Sequence, residues 1–445
     1  MKKFALSACL LVSLLALPAA AKETVILVGG DKSAGKALAK SSDAQWAKSL
    51  SKGLRLASKV LATGGEMTVV VKVAADDYNG DIGSGAYQFP ELNNKDAEFR
   101  LEGGYSADFT KRDPFGTPTR IVTISERSAP LLQLHPSRLD PATAQKEIKS
   151  LIIDGLFCDV GNSNNYDKKS NALIRGQGTS THVVIRWGNT KVGYFELRNC
   201  VFVNSPERAF ETLLRPANET VKFRLYNNVF VNCVTPLKLN SAVTPGGKVV
   251  EIEVDHCSFL LNWAPTLKVG AATPCALEIG TKEEVAKITI KNSLFYANLG
   301  GAILVLNKSS PELVISNNNF VGNGLLDKAP EPGAVALILT AGGKRQLVSV
   351  EKIKDVEFVE EAKGNVSVPP GINLSLVSTA SLDSSKIEAK DTWESCMNRL
   401  FGETVKDGKA EVKSHASKKD YDLKDPPFPK NPAAQKYGAS PKLVK

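Results

Sequence analysis

A phenylalanine recurs along the middle of this chain, each time with the same neighbours. The segments are LIIDGLF (151–157), FELRNCVF (195–202), FRLYNNVF (223–230), IEVDHCSF (252–259), ITIKNSLF (288–295), LVISNNNF (313–320) and EKIKDVEF (351–358). Five residues before each Phe stand Ile152, Leu197, Leu225, Val254, Ile290, Ile315 and Ile353, all aliphatic. Three before it stand Asp154, Asn199, Asn227, His256, Asn292, Asn317 and Asp355, all polar and able to turn the chain. Two columns that were not used to align the segments agree with each other, which is the mark of a repeat architecture.

The repeat has one physical reading. Alternation of apolar and polar residues over about six positions describes a half-buried strand. Asn or Asp just after it tolerates left-handed backbone and bonds its own backbone, so the chain turns there. A second strand follows in Pro236–Leu239, Pro265–Val269 and Ala302–Val305. Anchors lie 25 to 45 residues apart, too far for hairpins, with no long helical pattern between them. Coils stacked in parallel, each burying its Phe and aliphatic residue on the next, satisfy all of this. The fold class is therefore all-β, a parallel β-helix. The spacing of a leucine-rich repeat and the four strands per blade of a propeller both fail to fit.

A solenoid needs its end covered. Thr24–Val28 and Met67–Ala74 read as strands, and Gln45–Leu61 as one amphipathic capping helix with Trp46, Leu50, Leu54 and Leu61 on one face. Further on come Gly103-Gly104-Tyr105, Phe109, Arg112-Asp113-Pro114 and Pro118-Thr119. Together with Ala44-Gln45-Trp46-Ala47, this stretch resembles extracellular bacterial right-handed β-helix proteins of the pectate-lyase-like superfamily. The resemblance spans roughly residues 24–360. It implies the fold; it leaves activity open, because that superfamily holds lyases, hydrolases, adhesins and surface proteins.

The division expected is residues 1–21 as a signal peptide, 22–125 as cap and first coils, 126–377 as the β-helix and 378–445 as a C-terminal strap or tail. Lys2 and Lys3, the apolar run Phe4–Leu17, Pro18 and Ala19-Ala20-Ala21 carry the signal, with cleavage expected before Lys22. A lipoprotein box at Leu6–Cys9 competes, but most of the apolar run follows that cysteine. No other segment approaches the roughly 18 apolar residues of a membrane span. The expectation is a secreted, periplasmic or cell-surface monomer. Six cysteines remain after cleavage, Cys158, Cys200, Cys233, Cys257, Cys275 and Cys396. Their places beside the repeat phenylalanines favour buried free thiols, and without a CxxC or a nearby His pair a zinc site is not expected. The net charge of +9 is spread out, with no basic block, so nucleic acid is not an expected partner.

Several motifs tempt and fail. Gly30-x4-Gly35-Lys36-Ala37 lacks the hydroxyl that a P-loop uses for magnesium, and reads as a Gly-rich loop before the cap helix. Asp77, Asn79 and Asp81 start like an EF-hand loop, but Ile82 and Gln88 stand where Gly and Glu are required. The histidines His135, His182, His256 and His415 form no cluster, and His256 occupies the Asn column. Asp391–Phe401 suggests a short helix, and Lys418–Lys445 an irregular strap over the last coils.

Side chains alternate along a strand, so positions four, six and eight before each Phe point outward if the fifth points inward. Coil two then shows Tyr194, Glu196 and Arg198; coil three Lys222, Arg224 and Tyr226; coil four Glu251, Glu253 and Asp255; coil five Lys287, Thr289 and Lys291. An acidic band lies between two basic ones. Cross-strand charge pairing explains it simply. A chemical reading exists as well. Convergent Glu251, Glu253 and Asp255 would suit calcium, a hard cation. Calcium would neutralise a uronate, and Arg224 or Lys222, with a lowered pKa, would take the neighbouring proton in β-elimination. Arg198, Tyr226 and Lys291, and a Lys238/Lys268 pair on successive second strands, would hold an anionic polysaccharide. A hydrolase would need paired Asp acids, and none stand on this face. Binding or scaffolding is favoured over a calcium-dependent polysaccharide lyase.

Overall fold

The computed structural model describes residues 22–78, 87–88, 92–122, 132–133, 147–159, 165–167, 172–174, 183–186, 191–203, 208–214, 221–231, 233, 236–241, 250–262, 275–280, 286–298, 300–306, 312–324, 335–341, 344–372, 405–406, 409–410 and 427–444. Among them the chain winds as a parallel β-helix whose coils each contribute a strand to three sheets of eleven, eight and nine strands. The first sheet runs, in spatial order from Glu147–Asp154, through Lys191–Arg198, Val221–Tyr226, Val250–Asp255, Ala286–Lys291 and Glu312–Ser316, strictly parallel. The expected signal segment, residues 1–21, lies outside the described residues, as do Asp391–Phe401, His135, His182, His415 and Cys396.

Inside, like stacks on like. The rings of Phe202, Phe230, Phe259, Phe295 and Phe320 form a column with centroids 5.1, 5.0, 4.8 and 5.0 Å apart, and successive planes are within 9°. That spacing is the distance between neighbouring strands, so one stacking ring per coil continues without adjustment. At the first turn Asn199, Asn227, His256, Asn292 and Asn317 all hold φ between 50 and 57°. Asparagine accepts that conformation at small cost, which is why the column is polar and short. Beside it Cys200, Asn228, Cys257, Ser293, Asn318 and Asn365 form an inner ladder. In it the Asn228 and Asn318 side chains accept the backbone N–H groups of Cys200 (2.9 Å) and Ser293 (2.9 Å). At the next turn Asn262, Asn298 and Asn323 bond one another at 2.8 Å and donate to the carbonyls of Phe230, Phe259 and Phe295. Cys158, Cys200 and Cys257 are buried free thiols, and Cys233 and Cys275 are buried as well. Burial pushes the Cys200 and Cys257 thiols up to about 12.

The structure corrects the repeat at both ends. In coil one it is Ile153, not Ile152, that pairs with Leu197, and Cys158, not Phe157, that pairs with Phe202. The slip occurs because Gly155, at φ 73°, takes the left-handed turn that Asp154 was expected to make. Phe157 consequently lies under the Arg120 guanidinium, 4.8 Å from its ring centre, outside the Phe column. At the other end, Val350–Asp355 is a 3-10 helix, and the strand of coil seven is Val359–Lys363. Gly364 makes the turn there and Asn365 continues the inner ladder, accepting from the Asn318 N–H at 3.0 Å. Phe358 only packs against the edge of the core, while Ile353 is fully buried in it.

The N-terminal cap also differs. Gln45–Ala47 is a strand added in parallel to Lys22–Val28, with Trp46 opposite Leu27 and its indole N–H on the Gly29 carbonyl at 3.1 Å. The helix α2 begins only at Leu50 and runs to Leu61, burying Leu50, Leu54, Ala57 and Leu61 over the open end of the core. The open edge of Lys22–Val28 offers Trp46 backbone partners that a longer helix would forgo. The Gly30–Ala37 stretch is mostly helix rather than loop. Its helix α1, Lys32–Ser41, is capped by Asp31, whose carboxylate accepts the Ala34 N–H at 2.7 Å. At the far end, Lys344–Ser349 pairs antiparallel with Val335–Ala341 and closes the third sheet.

Candidate functional site

The outward positions of the first sheet line up in three rows across successive coils. The outer row is Tyr194, Lys222, Glu251, Lys287 and Glu312; the middle row Glu196, Arg224, Glu253, Thr289 and Val314; the inner row Arg198, Tyr226, Asp255, Lys291 and Ser316. The sequence-derived placement of these side chains on one face is therefore correct, although Glu196 and Asp255 are buried at 4% and 5% exposure. In coil one Asp154 joins the inner row, opposite Arg198.

Opposite charges meet at many of the steps. Lys222 lies 3.3 Å from Glu251, and Lys287 lies 2.9 Å from Glu312. Arg224 reaches Glu196 at 3.1 Å, Glu253 at 3.5 Å and Asp255 at 3.6 Å, with its guanidinium 4.3 Å from the Tyr226 ring centre. Lys291 reaches Glu253 at 3.2 Å and Asp255 at 3.9 Å. Arg198 bridges Glu196 at 3.3 Å and Asp154 at 2.7 Å. Fully buried Asp154 also takes Arg112 at 2.5 Å and the Asn199 amide at 2.8 Å. Arg112 lies 5.7 Å from the ring centre of Tyr105, whose hydroxyl donates to Glu102 at 2.6 Å. One ionic chain thus runs from the cap to coil five.

This connection explains the Gly-Gly-Tyr and Arg-Asp-Pro residues. A Cβ on Gly103 would fall 2.4 Å from the Gly155 carbonyl, and one on Gly104 as close to Pro114. Arg112 donates to the Gly103 carbonyl at 3.0 Å, and Asp113 caps the following turn by accepting from Gly116 at 2.9 Å. The motif clamps the 105–118 loop onto coil one. Sequence reasoning missed Asp154, Arg112 and Glu102 as members of the charged face. The available signal was an Arg between aromatic and acidic residues, but its partner lies 42 residues away.

Pairing bears on two expectations of chemistry. Glu251, Glu253 and Asp255 alternate with intervening residues along one strand; Glu251 faces Lys222, while Glu253 and Asp255 share Arg224 and Lys291. Among the described residues no three His, Cys, Asp or Glu side chains group so as to hold a metal ion, so the expected calcium cluster is not formed. Burial alone would lower the Arg224 pKa, yet Glu253, Glu196, Tyr194 and Asp255 together hold it above the ordinary guanidinium value. Arg224 remains charged and is unsuited to accept a proton. Burial acts against the charge of Asp255, but hydrogen bonds from His256 and Asn292, with the charges of His256 and Lys291, keep its pKa below the usual range. Burial, then Glu196, pushes Tyr194 up to about 12.

Of the Lys238/Lys268 pair, the structure describes Lys238 alone. The residue beside Lys238 on the next third-sheet strand is Glu278, 2.6 Å away, and Lys268 lies outside the described residues. Asp77 and Gln88 sit in separate two-residue strands, and Asn79, Asp81 and Ile82 lie outside the described residues.

Between the outer and middle rows the face forms an open concavity of about 270 Å³, bordered by Tyr194, Lys222, Arg224, Glu251, Glu253 and Lys287. No protein-family model, no curated protein and no solved structure matches this chain.

Proposed function

We propose that this chain is a non-catalytic, exported β-helix that binds a glycan in the concavity of its first sheet. The observation that carries the reading is the pairing itself. Arg198, Lys222, Arg224, Lys287 and Lys291 each have a carboxylate within 4 Å. No unpaired base stands ready, and a polyuronate would have to displace an internal carboxylate to gain a cation. Side by side, charged donors and acceptors of both signs suit a hydroxyl-rich, neutral ligand, and Tyr194 supplies an aromatic surface at the border. Export is supported by the Lys2-Lys3, Phe4–Leu17 and Ala19-Ala20-Ala21 pattern. The Gly103–Thr119 motif supports kinship with the pectate-lyase-like superfamily.

The test offers purified protein to neutral polysaccharides, polyuronates and glycosaminoglycans, with calcium and with chelator. Retention and the ultraviolet absorbance of unsaturated uronates are both followed. Retention on a neutral glycan, weakened by Tyr194→Ala and by Glu253→Ala without new absorbance, is expected. Calcium-dependent absorbance lost in Arg224→Ala would establish a lyase instead. Retention on no polymer would reject glycan binding and leave a structural scaffold.

A further inference from the structure

The turn column begins as an amide ladder and stops at the fourth coil. Asn227 donates its Nδ2 to Asn199 Oδ1 at 2.7 Å, and Asn199 donates in turn to Asp154 at 2.8 Å. An asparagine on the next coil would donate to Asn227 Oδ1 in the same way. That position is His256, whose Nδ1 instead lies 2.7 Å from Asp255 Oδ1. The rung beyond is diverted too, because Asn292 sends its Nδ2 to Asp255 at 2.9 Å. Asn227 Oδ1 is left open to a donor from outside the coils. The donor it receives is the backbone N–H of Ser440, at 2.7 Å.

Ser440 belongs to the C-terminal strap, residues 427–444. The strap starts where the N–H groups of Lys430 and Asn431 donate to the Pro370 carbonyl at 3.0 and 3.1 Å. It then lays three successive donors across the broken ladder. Gly438 N–H goes to the Asn292 carbonyl at 2.7 Å, Ala439 N–H to Ser258 Oγ at 2.8 Å, and Ser440 N–H to Asn227. The fit is steric as well as polar. Ala439 is fully buried, and Gly438 has φ 79° with Ser258 Oγ only 2.4 Å from where a Cβ would stand. Bulkier residues could not lie there.

We propose that His256 is the residue that selects this docking place: by interrupting the asparagine ladder it opens a peptide-binding groove whose occupant is the chain's own Gly438-Ala439-Ser440 segment. The same substitution turns Asn292 and the imidazole toward Asp255, so one residue ties the strap to the inner row of the charged face.

Hydrogen–deuterium exchange on the full-length chain tests this, reading the 437–444 amides against those of Val250–Asp255 as the measure of an intact fold. His256→Asn suits the left-handed turn and restores a ladder donor. Asn227 Oδ1 is then shared, and strap exchange is expected to rise about fivefold, the worth of one hydrogen bond. His256→Gly suits the turn equally but restores no donor, so strap protection is expected to stay as in the parent. Gly438→Ala removes the fit and is expected to free the strap by tenfold or more, with new tryptic cleavage after Lys436 and Lys442. Unchanged strap exchange in His256→Asn overturns the proposal. So does release in His256→Gly equal to that in His256→Asn, which would mean the imidazole itself holds the strap.

Discussion

The inside and the outside of the first three-sheet coils obey opposite rules of succession. Along the interior column phenylalanine follows phenylalanine, and along the turns asparagine follows asparagine. In the outer row of the charged face lysine and glutamate alternate from Lys222 to Glu312. The vertical spacing is the same in both places, so the difference is chemical. A ring offers one face upward and one downward, and a carboxamide carries both a donor and an acceptor; each can satisfy a copy of itself. A charged group repels its copy and attracts its opposite. Stacking in register therefore selects identity for neutral groups and alternation for charged ones.

Breaking the inner rule should cost most. Phe259→Ala removes a ring from the middle of the column and is expected to destabilise the fold by about 4 kcal/mol, measured by chemical denaturation. The buried part of the outer rule comes next. Asp154→Ala leaves Arg112 and Arg198 without their shared carboxylate, and a loss of about 3 kcal/mol is expected, together with faster proteolysis of the 105–118 loop. Asn298→Ala interrupts the second ladder and strands the Asn262 donors and the Phe259 carbonyl, at about 2 kcal/mol. Acid sharpens the comparison. The Asp255 pKa is depressed in the fold, so its contribution is complete above the unfolded value of about 3.9 and is lost as pH falls through the folded value. A urea-denaturation midpoint that falls less on acidification in Asp255→Asn than in the parent is the expected sign. Glu251→Lys, which puts three lysines in a row on a half-exposed face, should cost less than about 1 kcal/mol and do so mainly at low salt.

The middle of the fold was legible in the sequence because its rungs are equivalent. Phe202 to Phe320 and Leu197 to Ile315 repeat a chemistry that alignment can find, and the outward rows follow from it by alternation. The ends were not legible for particular reasons. Asp154 and Gly155 are both turn residues, and only the backbone shows that glycine takes the left-handed position. EKIKDVEF satisfies the pattern by composition, while the strand that actually stacks, Val359–Lys363, carries no phenylalanine. In the candidate site, the positions were legible and the chemistry was not. Three carboxylates on one strand suggest a cation site until all three are seen beside the Lys and Arg side chains of neighbouring coils. Trp46 misled in a similar way, since helix and edge strand both bury an indole; on the third sheet the neighbour of Lys238 is Glu278, in Leu277–Ile279.

Alternation imposes a parity on how such a rod can change length. Removing the coil that carries Glu251 would set Lys222 directly beside Lys287, and removing the one that carries Arg224 would set Glu196 beside Glu253. The phenylalanine column and the asparagine turns would close over either deletion without objection. Duplications that insert coils in pairs keep both rules at once; single insertions keep only one. With α2 covering one end and an antiparallel strand the other, growth is confined to the interior, and the charged face counts the coils two at a time.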